Sequence, residues 1–420
     1  MAIVSAVQGR EILDSRGRPT IQAACVLSDG TAAAASVPSG ASTGAAEAHE
    51  LRDGDSARYR GLGCRKAAAA ISGEICAALA GRDFASQDAL DEVLIGLDGT
   101  PNKSRLGANS ILAVSVAFAR ARAAAAGEPL YQAFARMLPA APHVLPRLTI
   151  NLFSGGKHAG GQVAIQDVLM IPLRTQSMDA TLAAAHEIYE AAAELILARF
   201  GMRRLRADEG GLAPPANSTR EMIELAAEAI AKAGFTPGVD VALGVDVASS
   251  HFFREGRYHL DGEVLDSAGM IDRLAQWTEA YPIVSVEDGL AEDDWDHWPA
   301  LRERIQNRSI VLGDDLLCTN PARISRAIES AACNALLLKV NQIGTLTEAA
   351  SAYRLARSAG WKIVLSVRSG ETEDAWAADL AVGWGADQFK NGSITQAERT
   401  AKYNRLLEIE TQTGWPVRPF

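Results

Sequence analysis

Four apolar runs in the second half of the chain each end on one charged residue: 241–245 into Asp246, 282–286 into Glu287, 309–313 into Asp314, and 335–338 into Lys339. Runs of this length, rich in Val, Ile and Leu and separated by helical stretches, predict buried parallel strands. A charge at the end of such a strand is not left unpaired in a core, because desolvating it costs too much. In a closed β/α barrel the strand ends converge on one face, which is where active sites sit. Three carboxylates and a lysine at neighbouring strand ends describe a hard-cation site with a base beside it.

With 420 residues the chain exceeds one ordinary domain, and a barrel of about 250 residues fits inside it with room for a second unit. The pattern divides near residue 140. Residues 3–37 hold three short β-like runs with turn signals at 15–19 and 28–30, and helical patterns follow, notably over 108–126. The segment 138–146, with its three prolines, is the best linker. The expected domains are therefore 1–140, a small α+β unit, and 141–420, a parallel β/α array with helices over 177–200, 218–234, 268–280, 321–331, 345–359 and 373–383.

An apolar content of 48% and a charged content of 22% are those of a soluble globular protein. A net charge of -10 argues against nucleic acid or an anionic membrane as partner. Five scattered cysteines without a C-x-x-C pair suit a reducing cytoplasm, and neither a signal peptide nor an apolar membrane span is read.

Residue types narrow the chemistry. Mg²⁺ prefers oxygen ligands and is held by a few carboxylates plus substrate oxygens. Asp246, Glu287 and Asp314 supply such a set with no His or Cys, which argues against zinc. Lys339 follows an apolar run, so metal charge and partial burial are expected to lower its pKa towards that of a general base. Arg368 and Ser369 lie just beyond another apolar run, and an arginine fork suits bidentate phosphate binding. Together these suggest proton abstraction beside a carboxylate in a phosphorylated substrate.

Ser-Gly-Ala-Ser-Thr-Gly (39–44), Asp-Glu-Gly-Gly (208–211), Ser-Val-Glu-Asp (285–288), Gly-Asp-Asp (313–315), Leu-Leu-Lys-Val-Asn-Gln-Ile-Gly-Thr (337–345) and Arg-Ser-Gly-Glu-Thr-Glu-Asp (368–374) closely resemble enolase. The segments 13–17 and 97–109 do so too, and the match runs in the family's order from about 3 to 412. The resemblance implies a C-terminal enolase-type β/α barrel capped by a smaller N-terminal α+β domain, usually as a homodimer or higher homo-oligomer. It implies Mg²⁺-dependent loss of water from 2-phosphoglycerate, with two Mg²⁺ per site, the second arriving with substrate. By the same resemblance Asp246, Glu287 and Asp314 hold the first ion, and Ser42 closes over the second ion and the phosphate. Lys339 is the base at C2 and Glu209 the acid at the C3 hydroxyl. Arg368 and Ser369 contact phosphate, Lys390 the substrate carboxylate, His158 belongs to a second mobile loop, and Gln166 is a polar contact.

Three positions depart from the family's pattern, each towards a smaller side chain: Val367 for a histidine, Asp167 for a glutamate, and Ala46 for Tyr or His. By resemblance all three surround the C3 hydroxyl or the closing loops. The readings left open are an ordinary enolase, an enzyme of the carboxyphosphonoenolpyruvate synthase type acting on a bulkier phosphonylated glycerate, and a non-catalytic binding or structural relative. Each residue also has a plainer explanation. A single strand-end Asp serves equally as a helix N-cap, Lys390 as a solvated loop lysine, and His158 as a turn residue. Asp293, Asp294 and Trp295 read as the opening of a helix, where acids are favoured.

Overall fold

The structure, a computed structural model, describes residues 2–41, 43–139 and 143–420. Ser42 and part of the expected linker, 140–142, lie outside the described residues. Strands β1 (Val4–Leu13), β2 (Pro19–Leu27) and β3 (Ala32–Ser36) form an antiparallel meander. The Ala-rich helix Ala108–Ala125 packs on it and is buried along nearly its whole length, which its small side chains permit. The Ala-rich stretch before it is also helical over 65–79, with a π-helical turn at Ile71–Ile75.

The second unit is a closed barrel of eight strands. After β4 (Arg147–Ser154), β5 (Asp167–Pro172) and β6 (Val241–Asp246), a small hairpin sheet of β7 (Phe253–Arg254), β8 (Arg257–Leu260) and β9 (Glu263–Leu265) branches off. The barrel resumes with β10 (Ile283–Glu287), β11 (Ile310–Gly313), β12 (Ala335–Leu338), β13 (Lys362–Ser366) and β14 (Gln388–Lys390), which closes on β4. Its helices are Met178–Phe200, Thr219–Lys232, Ser267–Ala280, Trp298–Ile305, Pro321–Glu329, Leu346–Ser358, Trp376–Gly383 and Ala397–Thr413. The expected helices all form, within a few residues at their ends.

The expectation of a uniformly parallel array needs one correction. β5 runs antiparallel to both β4 and β6. The connection from β4 to β5 is only the Gly-rich loop 155–166, which holds a single 3₁₀ turn and no crossover helix. Parallel neighbours are usually joined through a crossover helix, and this loop forms none, so the chain reverses instead. Two helices then return it to β6. The reversal puts the first residue of β5, Asp167, on the face where the other strands end, paired in register with Asp246.

A second correction concerns Asp293 and Asp294. The helix there begins at Trp298, with Pro299 in its first turn. Asp294 instead accepts hydrogen bonds from the hydroxyls of Tyr258 and Ser267, both at 2.6 Å, and so ties down the small hairpin sheet. Among the described residues no helix is long and apolar enough to cross a membrane.

Candidate active site

β6 and β10 are parallel neighbours in register, and their last residues, Asp246 and Glu287, lie side by side. Both carboxylates are buried and both converge on Lys390 from the end of β14, at 2.8 Å from Asp246 and 2.7 Å from Glu287. Burial and the neighbouring Asp246 push the Glu287 carboxyl up, against the pull of Lys390. Asp246 is also buried, but Lys390 and Lys339 outweigh that and hold it at about 2. Two carboxylates this close demand more positive charge than one ammonium brings.

Asp314, just past β11, turns away from that pair. It accepts from Lys339 at 2.5 Å and from the Gln342 amide at 2.8 Å. Its orientation is set from behind by Asp288, whose two carboxylate oxygens accept the backbone N–H groups of Asp314 and Asp315 at 2.9 and 2.8 Å. The three expected ligands thus occupy neighbouring strand ends, with Lys390 bridging the first two and Lys339 paired with the third. The groupings of potential ligand atoms within 4.8 Å of one another among the described residues are Asp288–Asp314–Asp315 and His158–Asp167–Glu209.

Lys339 is pulled two ways. Burial lowers its pKa, as anticipated, but the Asp314 carboxylate outweighs burial and holds the ammonium above its ordinary range. Glu209 is pulled both ways as well: burial raises its carboxyl, and His158, Arg399, Lys390 and Lys339 together bring it below its ordinary value. His158 is driven up to about 9 despite burial by Asp167 and Glu209, while burial also pushes the Asp167 carboxyl up. The Nδ1 of His158 lies 3.0 Å from Asp167 and its Nε2 4.0 Å from Glu209.

Asp167 accepts in addition from the Asn151 amide at 2.6 Å and the Ser154 hydroxyl at 2.8 Å. It is entirely buried and held by these two groups and by His158. Asn151 and Ser154 carried no motif of their own in the sequence.

A cavity of about 20 Å³ lies between these groups, lined by His158, Gln166, Glu209, Asp246, Lys339, Lys390 and the stretch Ser366 to Ser369, and closed by Ala41. That is space for a water. Val367 is buried in this wall and offers no polar side-chain atom to it. Ala46 lies on the loop above, one residue before Glu47. Arg368 is held by Glu47, at 2.9 and 3.1 Å. The Ser369 hydroxyl accepts from the N–H of Ala41 at 2.8 Å and from Arg16 at 3.2 Å, which anchors the loop 39–44 to the barrel. Glu47, Asp288 and Gln342 are site residues that sequence reasoning missed. Each stands inside or beside a quoted motif, which was the available signal.

A hard cation fits this donor set. All the donors at the Asp246–Glu287 pair are oxygens, the pair is short of positive charge, and the neighbouring Gln166 Oε1 is buried without a hydrogen-bond partner while its amide nitrogen donates to Asp246.

A closed barrel whose strand ends bring Asp246, Lys339 and Lys390 to one cavity, beside an α+β unit, defines the class: a two-domain barrel protein with a charged site at the strand ends. Models described as enolase N-terminal domain and enolase C-terminal TIM barrel domain match residues 4–134 and 142–417. The chain belongs to the enolase family.

Proposed function

We propose that this chain catalyses an enolase-type elimination, removing water across C2 and C3 of 2-phosphoglycerate or a close phosphonylated relative. The observation that carries the reading is the placement of Lys339 and Glu209 on the walls of one cavity that also receives Arg368, Lys390 and His158. Lys339 takes the C2 proton as the neutral amine, its own ammonium proton having first passed to solvent once Asp314 no longer holds it. His158, Glu209 and Asp167 form the proton-bearing side, where the C3 hydroxyl leaves. Arg368 and Ser369 bind the phosphate, Lys390 the carboxylate, and Ser42 belongs to the loop that closes the site. Mg²⁺ held by Asp246, Glu287 and Asp314, with a second ion entering with substrate, supplies positive charge against the substrate carboxylate and phosphate. A homodimer in the cytoplasm is part of the same proposal, supported by family membership.

A bulkier phosphonylated substrate, as for an enzyme of the carboxyphosphonoenolpyruvate synthase type, is the second reading. Val367 favours it, because an apolar residue replaces a donor in the wall beside Arg368. The cavity's small size means that Glu47 and the loop 39–44 move for either substrate.

The test is turnover of 2-phosphoglycerate and of its phosphonoformyl analogue with Mg²⁺, followed by NMR in deuterium oxide. Product from either, with C2 exchange, supports the elimination. Neither exchange nor product from both would leave the chain a non-catalytic member of its family.

A further inference from the structure

The helix Ala397–Thr413 sends two fully buried cations, Arg399 and Lys402, against the backbone of residues 368–372. Arg399 donates through Nη1 to the carbonyl of Arg368 at 2.8 Å and through Nη2 to the carbonyl of Ser369 at 2.7 Å. Lys402, one turn on, donates to the carbonyl of Thr372 at 2.9 Å and pairs with the Glu371 carboxylate at 2.9 Å. The guanidinium's charge is balanced by Glu398, whose carboxylate lies 3.4 Å from Nε, which leaves both terminal nitrogens for the two carbonyls. Space is made for it by Gly392, in the left-handed region at φ +76, where a Cβ would stand 3.1 Å from the Arg399 side chain and 3.0 Å from the carbonyl of Glu209.

The two peptide groups held by Arg399 are those that matter on the anion side. One carries Arg368. The other runs from the Ser369 carbonyl to the Gly370 N–H, which donates at 3.0 Å to the carbonyl of Ser39 at the base of the loop 39–44. A donor on one end of a peptide group strengthens the bond made at its other end. Arg399 is thus connected, through backbone alone, to both the phosphate arm and the closing loop.

We propose that Arg399 is a positioning residue for the anion-binding arm, fixing the peptide groups from which Arg368 and Ser369 project and the Gly370 N–H that meets the Ser39 carbonyl. The inference rests on the reading of Arg368 and Ser369 as the phosphate contacts. Its test is calorimetry of the full-length protein with inorganic phosphate, and separately with Mg²⁺, for wild type and for Arg368→Met, Arg399→Met and Arg399→Lys. Arg399→Met is expected to lose phosphate affinity tenfold or more while Mg²⁺ affinity stays within twofold, and Arg399→Lys, which reaches one carbonyl, to fall between.

Wild-type phosphate affinity in Arg399→Met, or an equal loss of phosphate and Mg²⁺ affinity, overturns the proposal. If Arg399→Met does not fold, the lysine variant decides: a reduced phosphate affinity alone supports the proposal, and an unchanged one overturns it. Equal phosphate binding by wild type and Arg368→Met, or none by wild type, overturns the reading of the arm and this inference with it. Loss in Arg368→Met without loss in Arg399→Met overturns the inference alone.

Discussion

Glu47 accepts two hydrogen bonds from Arg368, one from each terminal nitrogen, at 2.9 and 3.1 Å. Both side chains are almost wholly buried. The carboxylate therefore occupies the donors that a bound phosphate would use, and Glu47 and an oxyanion compete for one fork. Glu47→Gln leaves Arg368 short of negative charge, so inorganic phosphate should bind at least about tenfold tighter, a difference of about 1.4 kcal/mol. The variant should be less stable without phosphate, by about 3–5 kcal/mol as for a broken buried pair. Calorimetry and urea unfolding read both, and weaker phosphate binding in the variant would show that Glu47 assists the anion.

Removing a strand-end carboxylate takes away a hard-cation donor. Asp246→Ala and Asp314→Ala should each abolish turnover and weaken Mg²⁺ binding, and EDTA should silence the wild type. Unchanged Mg²⁺ affinity in either variant would place the ion elsewhere.

Lys339 and Glu209 face the same cavity with separable tasks. Lys339→Ala should stop deuterium exchange at C2 as well as product formation. Glu209→Gln should keep some exchange while suppressing elimination, each step being worth roughly 10²–10⁴-fold. NMR in deuterium oxide makes the distinction, and exchange persisting in the lysine variant would remove Lys339 from the role of base.

The His158–Asp167 pair sets a pH dependence of stability. The imidazole titrates at about 9 in the folded protein against an ordinary 6.5, because Asp167 and Glu209 outweigh its burial. The folded state binds this proton more tightly than the unfolded chain. The contribution is therefore complete below pH 6.5 and is lost as pH rises through about 9. Urea midpoints of the Mg²⁺-free protein should fall across that window, and His158→Gln should flatten the fall. The same slope in both proteins would refute the assignment.

Val367 offers no hydrogen bond where the family has a histidine, and Asp167 reaches one bond less far than a glutamate. Losing such contacts in a desolvated site costs about 2–4 kcal/mol in the transition state. This protein should therefore be slower on 2-phosphoglycerate than an ordinary enolase by roughly 10²-fold or more. Val367→His with Asp167→Glu should raise that rate while lowering activity on a bulkier substrate. Wild-type turnover at ordinary rates would rule out the specialised reading.

Much of the barrel was legible because its signal is local. The apolar runs before Asp246, Glu287, Asp314 and Lys339 state their own length, burial and end point, and the helices between them follow from spacing, while the caps Ser218 and Thr345 came from the structure. The antiparallel β5 was legible in principle, since the loop 155–166 holds four glycines and no helical pattern, but the composition of the strand resembles that of its parallel neighbours. The direction of a strand is a property of its connection.

The amino-acid order alone determined which residues end each strand and which chemistry those residue types support, because burial and periodicity are read within a few residues. Only the tertiary structure decided how those groups are paired. Lys390 meets Asp246 across 144 positions, and Glu47 meets Arg368 across 321. Arg399 reaches the carbonyl of Arg368 from a helix that follows the last barrel strand. Closure of the barrel and docking of the cap bring such groups within 3 Å, and the low dielectric of the interior then sets which of them keep their protons.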